Sequence, residues 1–401
     1  MFDDQLIQIT APATNTLIKV IGVGGGGGNA VANMYNDGMY DVSFLVCNTD
    51  KKALEDSPIP NRIQFGPGLG AGGKPELGRQ LAEQEDSLAA IYDAIDKETR
   101  MVFVTAGMGG GTGTGAAPVV AREVRARGIL TVGIVTLPFL FEMRKQIDKA
   151  LDGLEDLAKQ VDSLIVVNNE RMLSVYHNMP VLNAFQLADR TLTNAVRSVV
   201  DIIKMHGVIN LDFNDVSMVL REGGICIIST GTARGENRIT AAIQNALNSP
   251  LLNQNDIYTA RRMVMCITFP ETHETLQMNE LAEVNDFIAE FKRKNLEYKW
   301  GLAKDPTLEG EVKVTILASG FGLVQEEQEV DLEERIQREE LHQRYYGKNA
   351  KPIKPSTPVY LFKPDELDNE LLIDQIEAIP TARRTREQLI KLKEFTHNPT
   401  P

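Results

Sequence analysis

The sequence predicts an α/β protein: an N-terminal, mainly parallel-sheet nucleotide-binding domain, a long central helix, a smaller C-terminal α/β domain and a flexible tail. Three observations carry that reading. Apolar runs alternate with helical periods through the first half of the chain, glycine clusters stand at the ends of two of those runs, and Val181 to Lys204 carries one continuous apolar stripe.

The runs Leu17 to Val23, Val42 to Asn48, Met101 to Thr105, Ile129 to Thr136 and Ser163 to Val167 read as strands of one parallel sheet. Ligands of such sheets lie beyond the carboxyl ends of the strands, so Gly24, Asn48 and Gly107 would gather there. In the central helix, Phe185, Ala188, Leu192, Ala195, Val196, Val199 and Ile203 recur three and four positions apart. Three further strands are expected at Ile225 to Ser229, Arg262 to Phe269 and Val312 to Ala318, with helices at Asn237 to Ala246 and Met278 to Lys294. The expected boundaries are an extension over 1–16, a nucleotide-binding domain over 17–180, the central helix over 181–205 and a loop with its following helix over 206–222. After these come a C-terminal domain over 223–322, a charged helix and linker over 323–365, and an interaction tail over 366–401.

At 401 residues there is chain enough for two cores. The formal net charge of −13 disfavours nucleic acid as a partner. Cys47, Cys226 and Cys266 lie far apart in apolar runs with no metal-binding spacing, so reduced core thiols and a cytoplasmic location are expected. The N-terminus has no basic segment with a long apolar run, and no span is long enough to insert in a membrane.

Gly107-Met108-Gly109-Gly110-Gly111-Thr112-Gly113-Thr114-Gly115 joins a strand to a helix, as a phosphate-binding loop does. Its glycines let the backbone come close to a ligand, Thr112 and Thr114 add hydroxyls, and Pro118 suits the first turn of the following helix. The other reading of such a stretch is a mobile linker, which does not normally sit between a buried strand and a helix. A second cluster, Gly22-Val23-Gly24-Gly25-Gly26-Gly27-Gly28-Asn29, is similar to the dinucleotide fingerprint, and Asp50 falls near the position of its ribose-binding acid. Two loops at the ends of two strands suggest a chain of phosphates gripped from both sides. A third stretch, Gly66 to Arg79, imitates a P-loop through Gly68, Gly73 and Lys74. It has Pro75 where the Mg²⁺-binding hydroxyl belongs and no clear strand before it, so Lys74 reads as a surface charge. With no P-loop lysine, the phosphate charge falls to backbone N–H groups, helix dipoles and a bound cation.

Downstream of the central helix, Asn210-Leu211-Asp212-Phe213-Asn214-Asp215 puts an amide and two carboxylates at the start of a helix. Helix capping accounts for these residue types, and so does hydrolytic chemistry if a phosphate and a water come near.

Together Gly24 to Ala30, Asn48-Thr49-Asp50, Gly68 to Gly78, Gly107 to Gly115, Pro138 to Glu142 and Asn210 to Asp215 resemble, in order, the loops of the FtsZ family of tubulin-like division GTPases. The likeness covers roughly residues 17 to 320, and Gly107 to Gly115 is similar to the family's signature. The resemblance implies a GTPase that polymerises head to tail into a division ring at mid-cell, with GTP or GDP as ligand. Mg²⁺ would be held mainly through the phosphates. By likeness, Gly25, Gly26, Gly27, Gly28 and Asn29, with Gly109, Gly110, Gly111, Thr112, Gly113 and Thr114, hold the nucleotide, and Asn48 lies at the same strand ends. Glu142 would reach the ribose, Asn29 and Asn169 would lie by guanine, and Phe185 would stack on it. Asn210, Asp212 and Asp215 would come from the next subunit to orient and activate the attacking water. The family's carboxylate for guanine is here Arg190, which has no acceptor, and Asp189 is about 100° round the helix. Gln146 replaces an arginine near the nucleotide, with Arg144 and Lys145 close by in sequence.

The tail changes character: Glu326 to Arg335 is charged, and Lys348 to Pro364 is a proline-rich basic linker. Glu370 to Arg384 has an apolar stripe followed by charge, and Ile379-Pro380 with its arginines is similar to the family's C-terminal peptide for membrane tethers and division partners. Two other functions are compatible with parts of the sequence: an NAD-type oxidoreductase, on Gly22, Gly24 and Asp50, and a tubulin-like filament protein that segregates plasmids.

Overall fold

The structure, a computed structural model, describes residues 16–39, 42–170, 181–205, 207–247, 257–271, 276–289, 291 and 296–321, with only the backbone described over 181–189. The charged linker and tail lie outside the described residues.

Six strands form the first sheet: β1 (Ile18–Val23), β2 (Ser43–Asn48), β3 (Arg62–Gln64), β4 (Met101–Gly107), β5 (Leu130–Leu137) and β6 (Ser163–Asn168). They are parallel in the order β3-β2-β1-β4-β5-β6. Apart from β3, every strand is a near-continuous apolar run because helices cover both faces, as parallel crossovers require. The chain order reverses between β1 and β4, the switch point at which such sheets open a crevice. The helices between the strands are α1 (Gly24–Asn36), α2 (Lys51–Glu55), α3 (Pro75–Ala82), α4 (Glu85–Asp93), α5 (Thr112–Arg125) and α6 (Arg144–Ala158).

The central helix, α7 (Val181–Lys204), has the bounds its apolar stripe predicts. Leu192, Ala195, Val196, Val199 and Val200 pack in one core with Ala30, Val31 and Met34 of α1 and with strands of both sheets. The chain then forms β7 (Gly207–Ile209), α8 (Phe213–Leu220), β8 (Gly224–Arg234), α9 (Arg238–Leu247), β9 (Arg262–Phe269), α10 (Ala282–Ala289), β10 (Glu297–Lys304) and β11 (Glu311–Ser319). The second sheet, ordered β8-β11-β9-β10-β7, pairs with the first, among the described residues, through Ser163↔Gly224 and Leu164↔Ile225. A separate apolar core under α9 and α10 supports it.

Several expectations need correction. Pro118 is not in the first turn: α5 begins at Thr112, so the glycine–threonine segment is itself the helix start and Pro118 is interior. Having no N–H, Pro118 forgoes the helical bond to the Thr114 carbonyl. A strand does precede the third glycine stretch, the three-residue edge strand β3. The helix expected from Met278 to Lys294 is shorter, α10, with residues 292–295 outside the described set. Residues 297–304, not foreseen as a strand, form β10, and Gly207–Ile209, foreseen as loop, pairs with it. All three cysteines are free and buried, and burial pushes the Cys226 thiol up to about 12 and raises Cys47 and Cys266 as well. No described helix is long and apolar enough to cross a membrane.

Candidate active site

Two helix starts meet beyond β1 and β4. Neither Val23 before α1 nor Gly111 before α5 places a side-chain cap on its helix, and neither first turn carries an acid. Both ends therefore keep unpaired N–H groups and an uncompensated positive dipole. The start of α6 likewise has no side-chain cap and no acid in its first turn, whereas the Asp50 side chain caps α2, accepting from Lys52 N at 2.9 Å and Ala53 N at 3.3 Å. Asp50 therefore has a structural duty as a cap through Oδ1, which accounts for its residue type without a ribose.

The two starts touch backbone to backbone. Gly24 has φ +72°, and a Cβ there would lie 2.7 Å from Gly113 N. One at Gly27 would fall on the Thr105 carbonyl, so only glycine lets α1 lie this close to β4. At Gly25, Gly28 and Gly110, by contrast, a Cβ would meet nothing within 4 Å. Gly25, Gly26 and Asn29 are exposed, so the open side of the cradle is lined by backbone.

The hydroxyls have local duties. Thr114 is buried and its Oγ1 accepts from Gly109 N at 2.8 Å, closing the loop on itself. Thr112 Oγ1 shares a 2.6 Å hydrogen bond with Thr49 Oγ1, tying the end of β2 to the start of α5. Asn48 is also buried there, its Oδ1 accepting from Asp50 N at 3.3 Å. Gln146 packs on Gly109, where an added Cβ would lie 3.1 Å from its Cγ. Arg144, four residues before Asp148, pairs with it at 3.6 Å, and Lys145 is exposed.

The third glycine stretch braces this loop. Lys74 is exposed and precedes α3 without a cap bond. Gly78 sits against the Gly111 carbonyl and Gly115 against the Pro75 carbonyl, so α3 and α5 cross with no side chain between them. Lys149 Nζ donates to Gly73 O at 2.6 Å, and Arg79 pairs with Asp156, fixing α3 to α6 as well. This crossing is not legible in the sequence, because each glycine needs a partner far along the chain.

On the other flank, Glu142 accepts from Phe139 N at 3.0 Å through Oε1. Met143 beside it has φ 73° and ψ 149°, a conformation that favours glycine. Asn169 is buried and its Oδ1 has no partner among the described residues, an acceptor left for something else. Arg190 is exposed, while the side chains of Phe185 and Asp189 lie outside the described residues.

The carboxylates are elsewhere. Asp212 Oδ1 accepts from Asn214 N at 2.8 Å and Asp215 N at 2.9 Å, and Asp215 Oδ2 accepts from Asp212 N at 3.0 Å. This reciprocal capping box fixes the start of α8. Asn210 Oδ1 accepts from Gly207 N at 2.7 Å. Asn210 and Asp212 are exposed, and Val208 and Ile209 beside them are exposed apolar residues. Arg197 of α7 lies 3.9 Å from Asp37 at the far end of α1. That end is about 20 Å from the glycine cradle, and Lys204 is two helical turns further on. α8 in turn ends at the amino end of β6, where Ser163 Oγ donates to Leu220 O at 2.6 Å. One copy of the chain therefore holds its glycine cradle and its carboxylate loop on the order of 30 Å apart.

Comparison with known proteins agrees with this architecture. Residues 17–177 match the Tubulin/FtsZ family GTPase domain, 224–322 the FtsZ family C-terminal domain and 354–398 the FtsZ C-terminal segment. The cell division protein FtsZ of Porphyromonas gingivalis is 46% identical over 413 aligned residues, covering 96% of this chain and 89% of the relative. That of Pseudomonas aeruginosa is 42% identical, covering 77% and 78%. Among solved structures, an FtsZ dimer from M. jannaschii superposes with a TM-score of 0.68 at 36% identity, covering 79% of this chain and 94% of that one. A protofilament of CetZ2 from Haloferax volcanii with bound GTPγS shares the fold at 20% identity, with a TM-score of 0.65 and coverage of 81% and 97%.

Proposed function

The chain belongs to the tubulin/FtsZ family, and from that premise we propose that its GTP site is assembled from two copies, the glycine cradle of one and the carboxylate loop of the next. As a member it is a GTP-binding, GTP-hydrolysing and self-associating cytoskeletal protein of cell division. What carries the two-copy reading is the separation between the uncapped starts of α1 and α5 and the capped start of α8.

In this reading, the N–H groups of Gly25 to Gly28 and Gly109 to Gly113 hold the phosphates, and Thr112 and Thr114 keep the loop in shape. Among the described residues no group of three or more His, Cys, Asp or Glu is arranged to hold a metal ion, so Mg²⁺ would be bound chiefly by phosphate oxygens. The buried Asn169 Oδ1 is free to accept from a guanine donor, a role Arg190 cannot fill. Glu142 would face the ribose, with Asn29 and Phe185 toward the base. Asp212 keeps Oδ2 free of any described bond while Oδ1 caps α8, so one carboxylate can hold the loop and orient the attacking water. In-line attack on a γ-phosphoryl asks for positioning and charge stabilisation, which such a loop provides when docked on the neighbouring cradle.

Polymerisation then runs head to tail, since the two half-sites are different surfaces, and such a heterologous contact builds open filaments. The segment that matches the FtsZ C-terminus would reach membrane tethers and division partners at mid-cell. Turnover of GTP per molecule, measured against protein concentration, should rise steeply above a threshold. Turnover independent of concentration would overturn the two-copy site.

A further inference from the structure

The carboxylate loop is laid along β10. Gly207 and Ile209 pair with Ala303 and Leu302, and Gly301 leaves room for Leu211, whose Cδ1 would lie 2.6 Å from a Cβ there. The next exposed side chain along that strand is Lys299. Its Nζ stands 3.6 Å from Asp215 Oδ1, and its side chain is 58% exposed.

Three of the four carboxylate oxygens have a described partner. Asp215 Oδ2 is taken by the backbone of Asp212 and Oδ1 faces Lys299. Asp212 Oδ1 is taken by the cap, which leaves Oδ2 as the oxygen of the pair with no described partner. Bringing this loop to a nucleotide means bringing two negative charges toward a polyphosphate, in a cradle that supplies no lysine of its own. Electrostatic repulsion between them must be offset for the loop to dock.

We propose that Lys299 is a positioning residue for hydrolysis: it holds Asp215 in the capping box and cancels one of the two negative charges that the loop carries to the neighbouring copy's polyphosphate. This rests on the two-copy reading of the site. A cation held on the incoming subunit is favourable only in the assembled state, where the phosphates face it, so it acts on turnover and leaves GTP binding by the separate subunit alone.

The test uses the full chain, with Lys299→Met, which keeps the length and removes the charge, and Lys299→Arg, which keeps the charge. GTP affinity is measured below the assembly threshold, assembly by pelleting with a slowly hydrolysed GTP analogue, and turnover per pelleted molecule. Lys299→Met should leave monomer affinity unchanged and lower turnover per assembled molecule about tenfold, with the loss deepening at low salt. Lys299→Arg should restore most of that turnover, and should restore assembly if Lys299→Met has weakened it. Parent-level turnover in Lys299→Met, or equal losses in the Met and Arg variants, would overturn the proposal. Asp212→Ala in parallel separates the two ideas. If it abolishes turnover while Lys299→Met does not, only the role of Lys299 fails. If it leaves turnover intact, the two-copy reading fails first.

Discussion

The two ends of the molecule are built from opposite materials. At the carboxyl ends of β1 and β4 the side chains have been removed, and backbone packs on backbone at Gly24, Gly27, Gly113 and Gly115. At the start of α8 the backbone is ordinary and side chains do the work, with Asp212, Asp215 and Asn210 each bonded to nearby N–H groups. The first end is shaped by backbone and dipole, and where backbone meets backbone, at Gly24, Gly27, Gly113 and Gly115, there is no room for an added atom. The second carries charge on side chains and can be altered without disturbing the fold where the replacement still caps α8. The contrast suits a half-site that holds a ligand and another that arrives to act on it.

Replacements at the two ends should therefore fail differently. The largest effect is expected for Asp212→Asn. Asparagine caps a helix as well as aspartate does, so melting temperature and GTP affinity should be unchanged while turnover falls roughly 10²-fold or more. Asp212→Ala adds a stability loss of about 1 kcal/mol from the missing cap, visible in a denaturant titration. A drop in GTP affinity in either variant would erase the contrast.

The cradle should show the reverse pattern, and it distinguishes its own glycines. Gly27→Ala drives a methyl into the Thr105 carbonyl and should cost about 1–3 kcal/mol of stability along with GTP binding. Gly25→Ala meets only open space, so stability should hold or rise by up to about 1 kcal/mol, as for glycine to alanine in a helix. Its GTP affinity should still fall about tenfold, because the new methyl stands on the ligand's side. Thermal melts beside equilibrium binding of a fluorescent GTP analogue would read both.

Much of this was legible in the sequence because glycine density, strand alternation and helical period are local signals. Apart from β3, the strands of the first sheet and the long helix fall within a few residues of their expected bounds, and Arg262–Phe269 falls on them. What the sequence hid depends on distant partners. Gly78 and Gly115 read as loop residues until α3 is seen lying on α5. Residues 297–304 alternate well enough for a strand, yet the helical period extended before them masked it. The Lys299–Asp215 pair needs the sheet to bring together two residues far apart in the chain. At Asp212, the capping and catalytic readings are compatible, since the cap uses one oxygen and leaves the other.

Two smaller effects sharpen the boundary of the cradle. Met143→Gly places the residue suited to φ 73° and ψ 149° beside Glu142, and should raise stability by about 1 kcal/mol in a denaturant titration. Lys74→Met should leave GTP affinity unchanged, since Lys74 is exposed ahead of α3 and makes no cap bond. A large loss of affinity would restore that stretch as a phosphate loop.

The claim that one site is shared by two copies is tested most directly by mixing two impaired chains. Asp212→Asn keeps its cradle and lacks its acting carboxylate, while Gly25→Ala keeps its carboxylate loop and lacks a good cradle. In an equal mixture, about a quarter of randomly formed head-to-tail interfaces pair the sound half of each. The account predicts that the mixture hydrolyses GTP well above the sum of the two chains measured alone. A rate no greater than that sum would contradict it.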